Sequence, residues 1–428
     1  MKKILILAYD FPPYNSIAAQ RPYSWIKYLP LEDIEPTVVT LHWDKKIEDA
    51  RQYSIPSFQN TVKTEKIGGG KVVRVPFKAN LRDRLLHDHG FDRHAKIRKV
   101  ASFYYLLFRF FFAHADNTGE IFKQAGKLLK TEKYDYILAT GEPFILFKYA
   151  AVLSRKYKIP WIADYRDTWT NNPNIEKGRP IDKFLAGNLF RKLEERYVST
   201  AKLITTPAPS YKKLIKEILP AQKVEVIYNG SDIENLSELT EIKQRSDIFE
   251  IAYAGRFYEH QKLEVFLQGY LDFLKQNNVK NSRLIFYGLD FFPFDKERLL
   301  NFSKDLSEFI VTTPKIPYET LLQKLRRANL FLLLSTKGID WLNAKIFDYL
   351  PLQRKILLVC NDYGILEKIM DECSAGIKFD SAGEVTVSLT KLYREFQASG
   401  RVKHTTENYN RYTRKQQALA MIKLIKEL

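Results

Sequence analysis

The feature that most constrains the fold is the alternation of two hydrophobic periods along the chain. Short apolar runs rich in Ile, Val and Leu predict strands, and longer segments with apolar residues three and four positions apart predict helices. This alternation is typical of a parallel sheet covered by helices. In the first half, the predicted strands are 4–8, 37–41, 71–75, 136–139, 161–164, 203–206 and 224–227, and the predicted helices include 143–156 and 181–197.

The alternation begins again after a polar segment at 231–247, which indicates a second domain. The second set of strands is 249–254, 283–287, 309–312, 330–335 and 355–359, with helices at 263–276, 317–327 and 345–350. A chain of 428 residues is long enough for two hydrophobic cores. We therefore predict an α/β protein of two Rossmann-like, doubly wound domains that face each other across a ligand cleft.

Charge and cysteine content limit the classes of partner. The formal net charge of +18 favours phosphate-rich ligands, nucleic acid or anionic membrane. Cys360 and Cys373 have no disulfide or metal-ligand pattern around them, which predicts buried thiols in a reducing cytoplasm. The amino-terminal apolar run is too short for a signal peptide, and no run reaches the roughly 18 to 20 residues of a spanning helix.

The segment 93–113 departs from the alternation. Four cations in 93–99 precede a stretch in which seven of the twelve residues 101–112 are aromatic. A helix that buries aromatic residues at a lipid boundary and pairs its cations with anionic head groups has this composition. A core helix of the first domain, or one wall of an apolar acceptor groove, fits the composition equally well.

A possible anion site follows the strand 249–254, in the sequence AYAGRFYEHQK. Gly255 permits a tight turn and close approach of a ligand, and Arg256 and Lys262 project from the loop and the start of the next helix. Such a pair can bind a diphosphate, Arg by its planar fork and Lys as a point charge. On spacing alone, the pair could equally be ordinary surface cations.

A second candidate segment is KGIDWLNAKIFDYL, which follows the strand 330–335. Asp340 and Asp348 are eight residues apart, with Asn343 and Lys345 between them. A helix that begins near Asn343 would direct its positive end at an anion, and Asp348 could accept hydrogen bonds from sugar hydroxyls. Asp348 could also be a solvated helix residue.

With these segments in order, the chain resembles glycosyltransferase family 4, whose members are retaining, metal-independent enzymes with the GT-B fold. The motifs that carry the resemblance are YDFPPYNS, YDYILATGEPF, IPWIADYRDTW, VEVIYNGSD, AYAGRFYEHQK, RLIFYG and KGIDWLNAKIFDYL. The resemblance implies an acceptor-binding domain at 1–235 and a donor-binding domain at 236–411. A final helix at 412–428 is expected to pack back on the first domain.

For the donor, the resemblance assigns Arg256 and Lys262 to the diphosphate, where they stabilise the leaving nucleotide. Asp348 matches the second acid of the E-x7-E motif of the family and is expected to bind the ribose. Asp340 matches the first acid, which contacts the donor sugar. Both acids are usually Glu in the family, so the side chains here are one methylene shorter.

Further donor contacts are implied around these residues. Backbone groups near Asn343 and Ala344 are expected to approach the sugar or phosphate, with Lys345 beside them. Ile316, in the segment 315–317, is expected to border the nucleobase.

On the acceptor side, the chain departs from the family at two places. The family usually has Gly-Gly in its amino-terminal loop, where Asn15 and Ser16 stand here and are expected to bind with their side chains. The His that often precedes Glu142 is absent, so Glu142 or the cluster of Asp164, Arg166 and Asp167 is expected to complete that wall. Asp167 is the candidate acceptor-side base, and structural pairing of Arg166 with a neighbouring Asp is the alternative.

The sequence therefore predicts a retaining glycosyltransferase that uses a nucleotide-diphosphate sugar, with no metal or other cofactor. The basic surface and the segment 93–113 suggest a lipid-linked glycan acceptor and peripheral binding at the cytoplasmic face of an anionic membrane. Alternatives are an epimerase of the same fold and a non-catalytic protein that binds nucleotides or nucleic acid. Aromatic residues that cluster in one run, rather than alternating with cations, argue against nucleic acid.

Overall fold

The chain divides into two compact units. The computed structural model describes residues 1–14, 17–43, 57, 59–90, 93–108, 110, 117–171, 186–233, 242–338 and 341–428. The first unit comprises Met1–Tyr228 with Gln417–Leu428, and the second comprises Asn229–Gln416. The sequence places the boundary at 235 and the return of the chain to the first domain at 412.

The first unit is built on an eight-stranded sheet with the order β3-β4-β2-β1-β5-β6-β7-β8. All neighbouring pairs in it are parallel except β3 and β4, which are antiparallel. Leu7 of β1 lies beside Val39 of β2 and Ala139 of β5, which fixes the register at the centre. The strands are β1 (Lys2–Leu7), β2 (Ile34–Leu41), β3 (Lys63–Ile67), β4 (Gly70–Val75), β5 (Tyr136–Gly141), β6 (Trp161–Tyr165), β7 (Leu203–Thr206) and β8 (Val224–Val226).

Helices cover both faces of this sheet, which explains why successive residues of its central strands are apolar. Leu5 and Leu7 of β1 pack into the core beneath α4 and α5, and Ile4 and Ile6 pack into the core beneath α1 and α14. The helices of this unit are α1 (Ile17–Tyr28), α2 (Leu81–His89), α3 (Ala95–Phe108), α4 (Gly119–Thr131), α5 (Ile145–Tyr157), α6 (Arg191–Val198), α7 (Pro209–Ile218) and, from residue 417, α14 (Arg414–Lys426).

A buried ion pair ties α1 to the sheet. Nη2 of Arg21 lies 2.7 Å from Oδ1 of Asp164 in β6, and neither side chain is more than 2% exposed. The Thr205 hydroxyl donates to the same carboxylate at 2.6 Å, and Nη1 of Arg21 donates to the carbonyl of Ile227 at 2.7 Å. Each charge is thus paired and hydrogen-bonded, as burial requires.

The second unit has a six-stranded sheet of parallel strands in the order β11-β10-β9-β12-β13-β14. Its core contains alternate residues of the central strands and the inner faces of α8 and α13. The strands are β9 (Phe249–Ala254), β10 (Ser282–Tyr287), β11 (Ile310–Thr312), β12 (Leu330–Leu334), β13 (Lys355–Val359) and β14 (Gly376–Phe379). The helices are α8 (Leu263–Gln276), α9 (Pro293–Leu300), α10 (Tyr318–Leu325), α11 (Lys345–Tyr349), α12 (Ile365–Glu372) and α13 (Ala382–Ser399).

The two parallel-dominated α/β sheets confirm the predicted fold class. Of the helix predicted at 181–197, residues 181–185 lie outside the described part, 186–190 form a π-helix, and α6 begins at Arg191. Both cysteines are buried and unpaired, as predicted. Within the described ranges, no helix combines the length and the apolarity needed to cross a membrane.

Candidate active site

The candidate donor site lies at the carboxyl end of the second sheet. Because β10, β9 and β12 are neighbours, the segments that follow them meet at one edge. Gly255 follows β9 with a φ of +79°, and its N–H donates to the carbonyl of Tyr287 at the end of β10 at 2.8 Å. The left-handed φ explains the glycine, since other residues rarely adopt it.

Arg256 and Lys262 lie on the loop that leaves this turn. The side chain of Arg256 is 46% exposed, and its guanidinium carbon lies 4.9 Å from the ring centre of Tyr258 and 5.2 Å from that of Phe292. Its Nε is 3.5 Å from a carboxylate oxygen of Asp295. Lys262 is exposed and immediately precedes α8. The loop therefore presents two cations at the edge of the sheet.

Lys345 supplies a third cation beside the same loop. Its Nζ donates to the carbonyl of Arg256 at 2.9 Å and lies 4.9 Å from the ring centre of Tyr253. Burial lowers the pKa of Lys345 to about 8, and the positive charge of Arg256 acts in the same direction. An arriving anion would stabilise the protonated form, so this ammonium is suited to a phosphate.

Asp348 lies one turn further along, on α11. The hydroxyl of Tyr318, the first residue of α10, donates to its Oδ1 at 2.7 Å. Burial raises the pKa of Asp348 to about 6, against the opposing effects of the Tyr318 hydrogen bond and the charge of Arg414. Asp348 is half-buried, and an acid with a raised pKa is common in functional sites.

The other predicted donor contacts lie around α11 and α10. Oδ1 of Asn343 accepts from the N–H of Lys345 at 3.2 Å, whereas its buried Nδ2 has no hydrogen-bond partner within the described residues. Ala344 is the residue before α11, and Ile316 is half-buried in the segment between β11 and α10. Asp340 lies outside the described residues.

In the first unit, polar residues meet at the carboxyl ends of β1, β5 and β6. These three strands are neighbours, and Asp10, Glu142 and Arg166 follow them. Nη1 of Arg166 lies 2.6 Å from Oδ2 of Asp10, and its Nη2 lies 4.0 Å from Glu142. Burial raises the pKa of Asp10, while the charge and hydrogen bond of Arg166 oppose that rise.

These residues line an open pocket of about 520 Å³. Its other walls are aromatic and polar: Tyr9, Tyr14, Asn80, Arg82, Asp83, Ser102, Tyr105, Asn117, Thr118 and Pro143. Faces of aromatic rings together with carboxylate, amide and guanidinium groups suit a ligand rich in hydroxyls.

The helix α3 contributes to the wall of this pocket, and Phe110, in the same segment 93–113, is buried in the core of the first unit. Ser102 and Tyr105 face the pocket, and Ala101 is buried. Val100, on another face, is 69% exposed, and Tyr104 is also exposed. The sequence suggested the wall of an apolar groove, whereas most residues that line this pocket are polar. Residues 109 and 111–113 of the segment 93–113 lie outside the described residues.

The acceptor-side prediction needs one correction. Asp164 is wholly buried in its pair with Arg21, so it takes no part in the wall to which the sequence assigned it. Arg166 forms its closest ion pair with Asp10, 156 residues away, and a longer one with the neighbouring Asp167. Asp167 is 38% exposed, 3.9 Å from Arg166, and accepts from the Tyr211 hydroxyl at 3.4 Å. Asn15 and Ser16 lie outside the described residues.

Four further residues of interest were missed. Asp10, three residues after the end of β1, and Tyr318, directly after the segment 315–317, could have been found from their positions near a strand end or in a motif. Asp295 and Arg298, on α9, carry no signal in the sequence beyond ordinary helix charges.

Comparison with known families decides the class of the protein. The model of Glycosyltransferase Family 4 matches residues 19–235, just over half of the 428-residue chain. The chain belongs to glycosyltransferase family 4. No curated protein matches this family 4 sequence in a direct comparison.

Solved structures of similar fold cover the whole family 4 chain. Sucrose-phosphate synthase from Thermosynechococcus elongatus has a TM-score of 0.57 and 12% identity, with 100% of this chain and 99% of that chain covered. HepE from Anabaena, in complex with UDP and glucose, has a TM-score of 0.56, 10% identity and 100% coverage of both chains. A trehalose-6-phosphate structure from E. coli bound with UDP-2-fluoro glucose has a TM-score of 0.61 and 12% identity, with 100% and 99% covered. At these identities the likeness shows the GT-B fold, with its two Rossmann-like domains.

The raised pKa of Asp348 gives a prediction for stability. Because the folded state holds the Asp348 proton more tightly than the unfolded chain, this carboxylate destabilises the fold increasingly as pH rises from about 4 to about 6. Asp348→Asn should therefore stabilise the protein, and the gain should grow by about 1–2 kcal/mol between about pH 4.5 and about pH 8.

Thermal unfolding of both proteins across this pH range is the measurement. Asp305→Asn is the matched control, since Asp305 is 60% exposed in a surface pair with Lys275, and its effect should not vary in this way. A gain from Asp348→Asn that is equal at every pH would contradict the account.

Proposed function

We propose that this family 4 enzyme transfers a sugar from a nucleoside-diphosphate sugar to a membrane-associated, lipid-linked glycan. The reaction proceeds with retention of configuration and without a metal, at the cytoplasmic face of a membrane. The observation that carries the donor assignment is that Arg256 and Lys262 lie on one loop of the second unit and that Nζ of Lys345 contacts the same loop. UDP is the favoured nucleotide, because similar folds have been solved with UDP and UDP-sugars.

The three cations are suited to a diphosphate as it becomes a leaving group. Negative charge develops on the phosphate oxygens as the bond from the anomeric carbon breaks, and positioned cations lower the energy of that state. Arg256 offers a planar fork, and Lys262 and Lys345 offer point charges. We assign Asp348 to the ribose hydroxyls, from which its carboxylate would accept hydrogen bonds, and the hydroxyl of Tyr318 donates to the same carboxylate.

Retention follows if the acceptor attacks from the face that the nucleotide leaves. The acceptor hydroxyl oxygen forms the new bond to the anomeric carbon while the bond to the diphosphate oxygen breaks. The proton of the hydroxyl passes to a phosphate oxygen of the leaving group or to Asp167. Asp167 is partly exposed, and its carboxylate accepts a hydrogen bond from Tyr211. In this position Asp167 can serve as the base that takes the proton or as a hydrogen-bond acceptor for the sugar.

The pocket of the first unit is the proposed acceptor site. Glu142 is 58% exposed and can accept hydrogen bonds from sugar hydroxyls. Arg166 is held by Asp10, so its position is fixed before a ligand binds. Membership in a glycosyltransferase family favours this function over the epimerase and binding-protein alternatives.

The outer face of α3 is the proposed membrane contact. Ile97, Val100, Tyr104 and Phe108 are exposed at helical spacing along one face, and Phe103 is exposed beside them. Lys96 and Lys99 are exposed on the same helix. An apolar stripe flanked by cations is complementary to an anionic bilayer surface. Since Ser102 and Tyr105 of this helix line the pocket, an acceptor sugar could enter it while its lipid stays in the membrane.

Nucleotide binding tests the donor assignment. Titration calorimetry with UDP, GDP, ADP and CMP, with and without magnesium, should show selective binding of UDP that needs no metal. Arg256→Ala should weaken UDP binding about 10- to 100-fold, because a charge-assisted hydrogen bond is lost. Lys275→Ala, a surface cation paired with Asp305, is the control and should bind as the wild type does. Equal binding by Arg256→Ala would remove the basis of the proposal.

Vesicle binding tests the membrane contact. The double variant Lys96→Glu, Lys99→Glu should bind vesicles of phosphatidylglycerol at least about 10-fold more weakly than the wild type, because each basic residue near the surface contributes about 1 kcal/mol. Val100→Glu should also weaken binding.

The matched control is Lys127→Glu, Lys130→Glu on α4, which makes the same change of charge on exposed positions of another helix of the same unit. If both double variants lose binding equally, the attraction is a general effect of net charge and α3 is not the contact. Wild-type binding to phosphatidylcholine vesicles should be weak.

A further inference from the structure

We propose that α9 is a positioning element for the donor diphosphate, in which Asp295 orients the Arg256 guanidinium and Arg298 fixes the loop that leads to Lys262. This proposal rests on the proposed function of Arg256 and Lys262. Asp295 and Arg298 are positioning residues here, since neither is placed in contact with the substrate.

Asp295 holds Arg256 from one side. Its Oδ2 is 3.5 Å from Nε of Arg256, and its side chain is only 15% exposed. That oxygen is buried and has no hydrogen-bond partner within the described residues, and its ion pair is with the guanidinium of Arg256. The closest approach is made at Nε, on the inner side of the guanidinium. The outer edge with its two Nη groups is the part we assign to the phosphate.

Two aromatic rings restrict the guanidinium further. The guanidinium carbon lies over the ring of Phe292, directly before α9, and over the ring of Tyr258 of the loop. Stacking on aromatic faces is a favourable environment for Arg and limits its rotamers. Together with Asp295, these rings order the long side chain of Arg256 in the free protein. Less conformational entropy is then lost when a ligand binds.

Arg298 fixes the backbone between the two donor cations. Its Nη1 donates to the carbonyl of Tyr258 at 3.2 Å, and its Nη2 donates to that of Gln261 at 2.8 Å. Glu264, on the first turn of α8, accepts from both Nε and Nη2 of Arg298 at 2.7 Å. One guanidinium therefore ties the loop 256–262 to α8 and to α9.

The spacing on α9 places both residues toward the loop. Asp295 and Arg298 are three residues apart, so they lie on one face of the helix. Lys296 pairs instead with Asp290 at 2.7 Å and does not touch the loop in any contact that the structure describes. α9 thus offers two residues for the test and one for its control.

Fixing the loop in advance should increase donor affinity. A flexible loop or a mobile Arg loses conformational entropy when a ligand orders it, and this cost is subtracted from the binding free energy. A carboxylate near the diphosphate also repels it, which acts in the opposite direction. The proposal states that the gain from orientation exceeds this repulsion.

The experiment compares UDP with uridine on Asp295→Asn, Arg298→Lys and the control Lys296→Ala. UDP binding is measured by calorimetry and uridine binding by ligand-observed NMR. Asp295→Asn and Arg298→Lys should each weaken UDP binding about 5- to 10-fold, the effect of misplacing one charge-assisted hydrogen bond, and leave uridine binding unchanged. Lys296→Ala should bind both ligands as the wild type does.

The outcomes separate this inference from the proposed function. If Arg256→Ala loses UDP binding but Asp295→Asn and Arg298→Lys keep it, or bind UDP more tightly, the role of α9 is refuted and the donor assignment stands. If Arg256→Ala itself binds UDP normally, the proposed function fails first. A loss of uridine and UDP binding together would mean a general structural effect and would also overturn the positioning role. Arg298→Lys keeps the positive charge and provides a second variant if Asp295→Asn fails to fold.

Discussion

The candidate chemistry of this protein depends on one constraint, the parallel arrangement of its central strands. Parallel neighbours end at the same edge of a sheet, so the residue after each strand is brought next to the residue after its neighbour. Asp10, Glu142 and Arg166 meet in this way in the first unit, although they are far apart in sequence. In the second unit, the same geometry places the Arg256 loop beside the turn that follows β10.

The second effect is electrostatic. Lys345, Asp348 and Asp295 lie where water solvates their charged forms poorly. Burial therefore lowers the pKa of Lys345 and raises the pKa values of Asp348 and Asp295. Such groups lower the stability of the fold, and they interact strongly with a ligand that carries complementary charge. By contrast, the charges of Arg21 and Asp164 are fully compensated by each other and by their hydrogen bonds, which suits a purely structural role.

The sequence predicted those parts of the structure that local patterns determine. The βα alternation predicted the fold class, because the hydrophobic period of each element is set by its own burial. β3 was missed because its sequence, KTEKI, is polar and mostly exposed at the edge of the sheet. Most of the predicted site residues within the described ranges lie after a strand or beside the start of a helix, which are positions that local patterns identify.

The remaining features could not be predicted because they depend on partners distant in sequence. Asp164 lies in a motif beside Arg166, but its charge is neutralised by Arg21, which is 143 residues away. Arg166 in turn depends on Asp10. The hydrogen bonds of Arg298 to the loop 256–262 form only when α9 packs against that loop. Spacing along the chain carries no information about such contacts.

The most direct test of the central claim is slow hydrolysis of the donor in the absence of an acceptor, followed by proton NMR. The protein is incubated with α-linked UDP-sugars and a chelator, and the anomer of the released sugar is observed before it equilibrates. The account predicts that the α anomer appears first, that chelation does not slow its release and that Arg256→Ala abolishes it. Initial release of the β anomer, or consumption of the donor only with added metal, would contradict a retaining, metal-independent transferase.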